Sequence, residues 1–452
     1  MKKIFFLITC TLVCIVIFMG SCSDSFLDME PNKKIVVPST LEDVRSLLNN
    51  NSRMNMNYTG TQEVITDDYF LTDDGYGVVA TMTTGLSYIW ETDVLISEIN
   101  DWSVSYANVF YCNVALETLE LIKKDETDIG EWNNLKGQAL FFRSLNFYSL
   151  IQLFAKPFRV GAEGTDPGIV LKLSADINEK VKRATVKECY DQILADLTEA
   201  SQLLSKNQKY KTLPDECAAH ALLARIYLSI ADYRNAMDHA QKALGMTEGL
   251  MDYNELSSAS LYPFDRFNQE VIFHCTTFDQ PKSLSRVSPD LYAMYASSDL
   301  RRSLLYDVST APLAFSFKGS YDGDLGYFVG MAADELCLII AECYARSNEL
   351  EKATYMLNDL LKKRWDNSME FIPIENRGNI LDLILDERRK ELPFRGVRWS
   401  DLRRYVLEGR SIGKIVRTIK GKTYELKPER ISSYVLKIPY QVIINNGMEQ
   451  NE

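Results

Sequence analysis

Residues 384–405 read ILDERRKELPFRGVRWSDLRRY. The run carries both charge signs at high density: Asp386, Glu387, Arg388, Arg389, Lys390 and Glu391, then Arg395, Arg398, Asp401, Arg403 and Arg404. A plain solvated helix would not interrupt such a run with Leu392-Pro393-Phe394 and then Gly396-Val397. Proline cannot sit in a helix interior, and glycine permits a tight turn. The stretch therefore predicts one helix ending near Glu391, a short apolar turn, and a second helix beginning near Trp399. Its charges are expected to bridge the two helices as a partly buried ion-pair network, which on its own is a structural feature.

Working outward, helical period dominates Thr40–Asn50 with Trp102–Lys124, Glu131–Leu204 with a break, and Ala218–Leu244 with Ala332–Tyr405. One pattern recurs inside these regions. In Cys217–Leu244, residues Ala224, Tyr227, Ala236, Ala240 and Ala243 are separated by three, nine, four and three positions. In Ala333–Leu361, residues Ala341, Tyr344, Ala353, Leu357 and Leu360 repeat those gaps. Small residues so placed let two antiparallel helices approach closely while the tyrosine fills the seam, a spacing similar to tetratricopeptide helix pairs. Leu135–Phe154 paired with Thr185–Leu204 is a candidate third unit.

The string from Glu387 to Arg404 resembles the signature of the SusD/RagB family of outer-membrane nutrient-binding lipoproteins, approximately E-R-x-x-E-L-x-F-E-G-x-R-W-x-D-L-R-R. Arg395 departs from it, standing where the family usually carries glutamate. Ala139, Phe142-Arg143 and Tyr148 are similar to a second family segment, with Ser144 for the usual alanine. The closing stretch from Tyr434 resembles the family's tail through Leu436, Ile438, Pro439, Ile443, Asn446, Gln450 and Asn451, with Val442 in place of a glutamate. Phe26–Pro31 (FLDMEP) resembles its mature start. The resemblance implies a mainly α fold: tetratricopeptide-like helix pairs as a scaffold, long irregular ligand-binding loops and little strand. It implies a single domain over residues 22–452, with a helical framework at about 40–57, 102–250 and 331–410, loop-rich segments at about 58–99 and 251–330, and a tail at 411–452.

The first residues read as a targeting segment. Lys2 and Lys3 precede an almost wholly apolar run, Ile4–Met19, and Gly20-Ser21 then precede Cys22. Such a run at the extreme N-terminus, ending in small residues, reads as a signal peptide rather than a membrane span. Residues 1–21 are the expected signal peptide and Cys22 the expected lipidated residue, which would tether a soluble body to a membrane surface. Removing residues 1–21 discards two lysines and no acids, taking the formal charge from −12 to −14. An acidic body without a basic cluster argues against nucleic acid as a partner. Six further cysteines remain: Cys112, Cys189, Cys217, Cys275, Cys337 and Cys343. The compartment permits disulfides, but most of the six lie in helix-period apolar contexts, and buried free thiols are the favoured reading.

Chemistry is hard to find. Only His220, His239 and His274 exist, and none has a partner at the helical spacing of a zinc site. Each reads as a structural or surface histidine. No G-x-S-x-G, P-loop or G-x-G-x-x-G motif is present, and neither a cofactor nor a metal is expected. Asp67-Asp68 and Asp73-Asp74 are the most suggestive carboxylates for a hydrolase, against the simpler reading of a solvated loop.

Binding makes better use of the loops. Sugar rings present apolar faces on which aromatic planes stack while polar groups take the hydroxyls. The expected ligand-binding residues are Trp90, Tyr88, Tyr69, Asp73 and Asp74 in the first loop segment, with Tyr262, Phe264, Tyr292 and Tyr321 in the second; Tyr76, Phe267 and Tyr327 are further candidates. Trp90 ranks first, because the resemblance places a ligand-facing aromatic before the helix that holds Trp102, Tyr106 and Asn113. For any one aromatic, plain core packing is the competing reading.

The resemblance implies a lipid-anchored outer-membrane protein, facing the cell surface, that binds an oligosaccharide or peptide. It would pass this ligand to a SusC-like TonB-dependent β-barrel transporter and act as its lid, with no enzymatic step. A repeat scaffold for protein partners and, less strongly, a glycoside hydrolase are the alternatives.

Overall fold

The helices form where capping residues meet apolar stripes. In the computed structural model, Thr185 accepts the backbone N–H of Glu188 while the Glu188 carboxylate accepts that of Thr185, so the first turn has its orphan donors satisfied. Asn100 and Ser103 close the same box two helices earlier. The structure describes residues 38–452 apart from 57, 92–99, 124–128, 279–281, 309–314 and 376–377. The expected signal peptide, Cys22 and the FLDMEP stretch lie outside these residues. All elements below belong to the unit Thr40–Glu452.

Ten helices make the framework: α1 (Leu41–Leu48), α2 (Asp101–Leu121), α3 (Ile129–Phe154), α4 (Val186–Leu203), α5 (Glu216–Ser229), α6 (Tyr233–Leu244), α7 (Ala333–Arg346), α8 (Leu350–Lys362), α9 (Ile380–Glu391) and α10 (Arg398–Leu407). Helices α3–α4, α5–α6 and α7–α8 pair as the spacing predicts. Ala224, Ala236, Ala240 and Ala243 are fully buried, as are Ala341, Ala353, Leu357 and Leu360. The two hairpins even turn alike. Ala231 and Asn348 occupy equivalent positions with φ of 60° and 61°, and the next residue's N–H reaches back to the carbonyl of Tyr227 or Tyr344. Strand is confined, among the described residues, to six two-stranded antiparallel pairs. The fold is the expected mainly α one. All six cysteines are free and buried.

Buried charge joins the pairs. Arg143 on α3 forks onto Asp196 on α4 at 2.7 and 2.8 Å, and Arg225 on α5 forks onto Glu335 on α7 at 3.0 and 2.6 Å. A bidentate guanidinium–carboxylate pair fixes orientation as well as distance.

Residues 384–405 are the hub of this network, and here the expectation needs a correction. The helices end and start where predicted, with Gly396 at φ 73° in the turn. Yet Arg388–Asp401, at 2.8 Å, is the ion pair that ties α9 to α10 directly. The other charges reach outward, and most are fully buried. Arg389 and Arg398 hold Asp68 and Asp67 of the first loop segment at 2.9 and 2.8 Å. Glu391 accepts Arg301 and Arg364, Arg404 grips Glu342, and Arg403 donates to the carbonyls of Ile151, Gln152 and Ala155 at the end of α3. A helix C-terminus leaves carbonyls unpaired, and Arg403 satisfies them. The tail completes this corner: Asn451 donates to the carbonyls of Phe154 and Leu436, and Gln450 bonds both backbone groups of Ile438.

Glu63 joins the hub from the first loop segment, accepting the N–H of Gly396. Burial, then the charge of Asp68, push its pKa up to about 8. Between the ordinary glutamate value and 8, the folded state holds a proton that the unfolded chain has released, so stability falls as pH rises through that window. Glu63→Gln keeps the oxygen that accepts from Gly396 and removes the proton. We expect it to raise stability by about 1–3 kcal/mol at pH 8.5, with no gain at pH 4.5. Denaturant unfolding from pH 4.5 to 9 checks this; parallel curves for the two proteins would refute it.

Candidate functional site

The two loop segments build a core of their own. Tyr69–Leu71 pairs with Ser285–Val287, register Tyr69↔Val287, and behind this pair lies an aromatic cluster that includes Tyr69, Tyr88, Tyr253, Phe264, Tyr295, Tyr306, Phe317, Tyr321, Tyr327 and Phe394. A segment without a helical stripe still has to bury apolar area, and each aromatic buries roughly 150–250 Å².

Four of the expected ligand-binding aromatics are consequently unavailable. Tyr69 is buried and donates to the Val64 carbonyl at 2.9 Å, while the Tyr88 hydroxyl accepts the N–H of Leu71 at 2.8 Å. Phe264 is buried edge-on against Tyr253, and Tyr321 is buried with its hydroxyl donating to Glu270 at 2.6 Å. Tyr327 is likewise core. Tyr292 is half-buried, but its face is taken by Phe315, with centroids 3.5 Å apart. Tyr76 is half-exposed and leans on Tyr88. Tyr262 is half-exposed beneath Lys282, 5.9 Å from its ring centre.

The acids divide too. Asp73 accepts the N–H of Lys420 at 2.7 Å and so fastens its short helix to the hairpin Ile415–Leu426; Asp74 is exposed. Asp67 and Asp68 have the split electrostatics of an acid–base pair. Burial opposes ionisation of Asp67, but Arg398 outweighs it and holds Asp67 below the usual carboxylate range. Burial and the neighbouring Asp67 push Asp68 up. Asp67 sits in the fork of Arg398, and Asp68, fully buried, accepts Nε of Arg389 through Oδ1. Both carboxylates are engaged by arginines of the hub, and the pair ties the first loop segment to it.

Trp90 stands apart. It is half-buried with φ 55°, a left-handed conformation that costs a non-glycine residue about 1–2 kcal/mol. The indole N–H donates to the Ile65 carbonyl at 2.9 Å, and Arg417 lies 4.4 Å from the ring centre. Arg417 also stacks on Tyr88 at 3.7 Å and donates to the carbonyls of Val64, Thr66 and Tyr88. The ring is thus fixed by its edge and by one neighbouring cation. It lines a cleft of about 400 Å³ with Tyr424, Lys427, Arg430 and Lys437. A rigid aromatic beside several hydrogen-bond donors in a concavity is the usual make-up of a small-molecule site. A larger groove of about 580 Å³ beside α4 has no aromatic in its wall.

A second surface escaped the sequence reading in part. Phe267 and Phe278 are 45% and 51% exposed; the exposed Leu261 lies shortly before Phe267 in sequence, and the exposed Leu325 precedes Gly326, which lies beside Phe278. Phe267, at φ 62°, covers His274; His274 meets Asp322 at 3.4 Å, and Gly326 sits between Asp322 and Phe278. Arg266 braces the loop on Asp322 and Asp324 at 3.3 and 3.6 Å. Phe267 was a sequence candidate. Nothing in the local pattern separates Phe278, Arg266 or Lys282 from their neighbours.

Glu270, Asp334 and Glu391 bring carboxylate oxygens within 4.8 Å of one another and could in principle hold a cation. Each already has a buried guanidinium: Arg364 on Glu270 and Glu391, Arg301 on Glu391, Arg395 on Asp334. The cluster is neutralised from within.

Comparison with known proteins agrees with this fold. A family model described as starch-binding, associating with the outer membrane, matches residues 25–228, and the SusD family model matches residues 333–452. SusD-like protein P2 of Formosa agariphila is 24% identical over 416 residues, covering 76% of this chain and 78% of that one. A putative sugar-binding protein of Bacteroides vulgatus superposes with a TM-score of 0.73 at 22% identity, covering 92% of this chain and 99% of its own. A SusD superfamily protein of Bacteroides thetaiotaomicron gives 0.72 at 22%, covering 91% and 100%, and a laminarin-binding SusD-like protein gives 0.65 at 18%, covering 91% and 98%. With signature, tail and helical framework all in place, the chain belongs to the SusD/RagB family.

Proposed function

We propose that this protein captures a glycan at the Trp90 cleft and hands it to a SusC-like TonB-dependent β-barrel of the same outer membrane, without a chemical step. The observation that carries the reading is Trp90 itself, a strained aromatic fixed beside Lys427, Arg430 and Lys437 in a cleft. The family's description and the sugar-binding and laminarin-binding proteins of the same fold support a carbohydrate ligand. No described helix is long and apolar enough to cross a membrane. Attachment through a lipid on Cys22, at the cell surface, is part of the proposal. Capture followed by release asks for moderate affinity, and a lid over the barrel asks for a firm body, which the buried ion-pair hub supplies.

The exposed Phe267 and Phe278 favour a second location for the same function. Binding of the purified chain to a panel of neutral, acidic and sulfated polysaccharides, oligosaccharides and peptide mixtures, with product analysis, separates the two. We expect glycan binding without cleavage, weakened at least about tenfold by Trp90→Ala, a loss of about 1.4 kcal/mol or more. Phe267→Ala and Phe278→Ala should leave it within about twofold, below 0.5 kcal/mol. Loss in the phenylalanine variants alone would move the site to that surface. Peptide binding or cleavage would overturn the reading.

A further inference from the structure

Two of the three histidines meet in space although they lie nineteen residues apart. His220 on α5 and His239 on α6 face each other across the seam of a helix pair, Nδ1 to Nδ1 at 2.9 Å. Both are half-exposed. Tyr227 stacks flat on His239, at 9° and 5.5 Å, and fixes the plane of that ring. Without a third body, one ring donates and the other accepts. That arrangement spends both Nδ1 atoms on a single neutral hydrogen bond at a surface where water could serve each of them.

The spacing suits something more demanding. With metal–nitrogen bonds of about 2.0 Å, two ligands at 90° lie about 2.8 Å apart, whereas tetrahedral zinc sets them about 3.3 Å apart. The observed separation is close to the first. Glu216 lies four residues before His220, on the same face of α5 and within electrostatic reach of its ring. The nearby cation, Lys242, is engaged by Asp238 at 2.8 Å. The hydrogen bond between the rings requires one Nδ1 without a proton, and the unprotonated imidazole nitrogen is the form that ligates metal.

We propose that His220 and His239 bind one divalent first-row transition-metal ion of the copper or nickel type, with water completing its coordination and Glu216 adding only its charge nearby. On binding, the ring that carries its proton on Nδ1 moves it to Nε2, so both Nδ1 lone pairs face the metal and no net proton is released. The site lies on the helical framework, away from the loop segments, and is independent of the glycan reading.

Titration of the untagged full chain in detergent with Ni²⁺ by calorimetry, and with Cu²⁺ by electron paramagnetic resonance, tests this. We expect one ion per chain with micromolar or tighter affinity, and a copper spectrum split by two equivalent nitrogens. His220→Gln and His239→Gln should each weaken binding at least about tenfold, and Glu216→Gln by a smaller factor. Absence of binding, a spectrum without two nitrogens, or affinity unchanged in both histidine variants would overturn the proposal. The spectrum is read on the unsubstituted protein, so it decides the matter even if a variant folds poorly.

Discussion

Arg364→Met is expected to lower the stability of the folded chain by about 3–5 kcal/mol at pH 8, the usual cost of removing one partner from a buried ion pair. Arg364 is fully buried. It donates to Glu270 at 2.9 and 3.1 Å, to Glu391 at 2.8 Å and to the Met251 carbonyl at 2.8 Å, and it lies 3.9 Å from the ring centre of Tyr253. Methionine fills most of the volume but leaves Glu270 and Glu391 facing each other without it. The size of the loss should depend on pH. Burial already pushes Glu270 up to about 7, against the pull of Arg364. Without that pull its pKa rises further, and the folded state then binds a proton over a wider range in which the unfolded chain does not. The variant should thus lose less at pH 5, where Glu270 is protonated, than at pH 9. Arg364→Lys keeps a charge but not the fork, and should fall between the two. Denaturant midpoints at pH 5, 7 and 9 measure all of this. A pH-independent loss under about 1 kcal/mol would mean that the cluster is not held by Arg364.

How far the sequence carried can be judged from such residues. Pro393 and Gly396 placed the α9–α10 turn because their backbone limits are local. The alanine gaps placed two helix pairs because close helix approach needs small side chains at fixed periods. Trp90 was singled out through the family resemblance, and the structure sets it in the wall of a cleft. Tyr69, Tyr88, Phe264 and Tyr321 misled for a physical reason. In an irregular segment no period distinguishes an inward aromatic from an outward one, and these four lie in the loops' own core. The ion-pair partners were also invisible, since a charge string says nothing about which distant carboxylate answers it: Arg389 and Arg398 meet residues more than three hundred positions away. That His220 and His239 meet was not legible, because two residues paired across a helical hairpin have no spacing rule of their own.

Arg395 is the remaining case, and it supports the other large prediction. Where the family's signature usually carries glutamate, this chain buries an arginine that meets Asp334 at 3.0 and 3.4 Å and stacks on Tyr321 and Phe328, 4.8 and 4.6 Å from their ring centres. Asp334 belongs to the acidic trio with Glu270 and Glu391. Restoring the family residue by Arg395→Glu should therefore destabilise the protein, by about 4 kcal/mol or more, because it replaces a buried attraction with a buried repulsion. Pairing it with Asp334→Asn should recover at least about half of that loss. The asparagine oxygen can still accept the N–H of Glu335, which Asp334 now takes at 2.7 Å, and its amide can donate to the new glutamate. Equilibrium unfolding of the two single variants and the double variant closes the cycle. If the loss in the double variant equals the sum of the two single losses, positions 334 and 395 are not coupled and the arginine is held by its aromatic contacts. If they are coupled, relatives with glutamate at the position of Arg395 should lack an acid at that of Asp334. The exchange then becomes a compensated pair, leaving the signature's other contacts free to hold the loops on the framework.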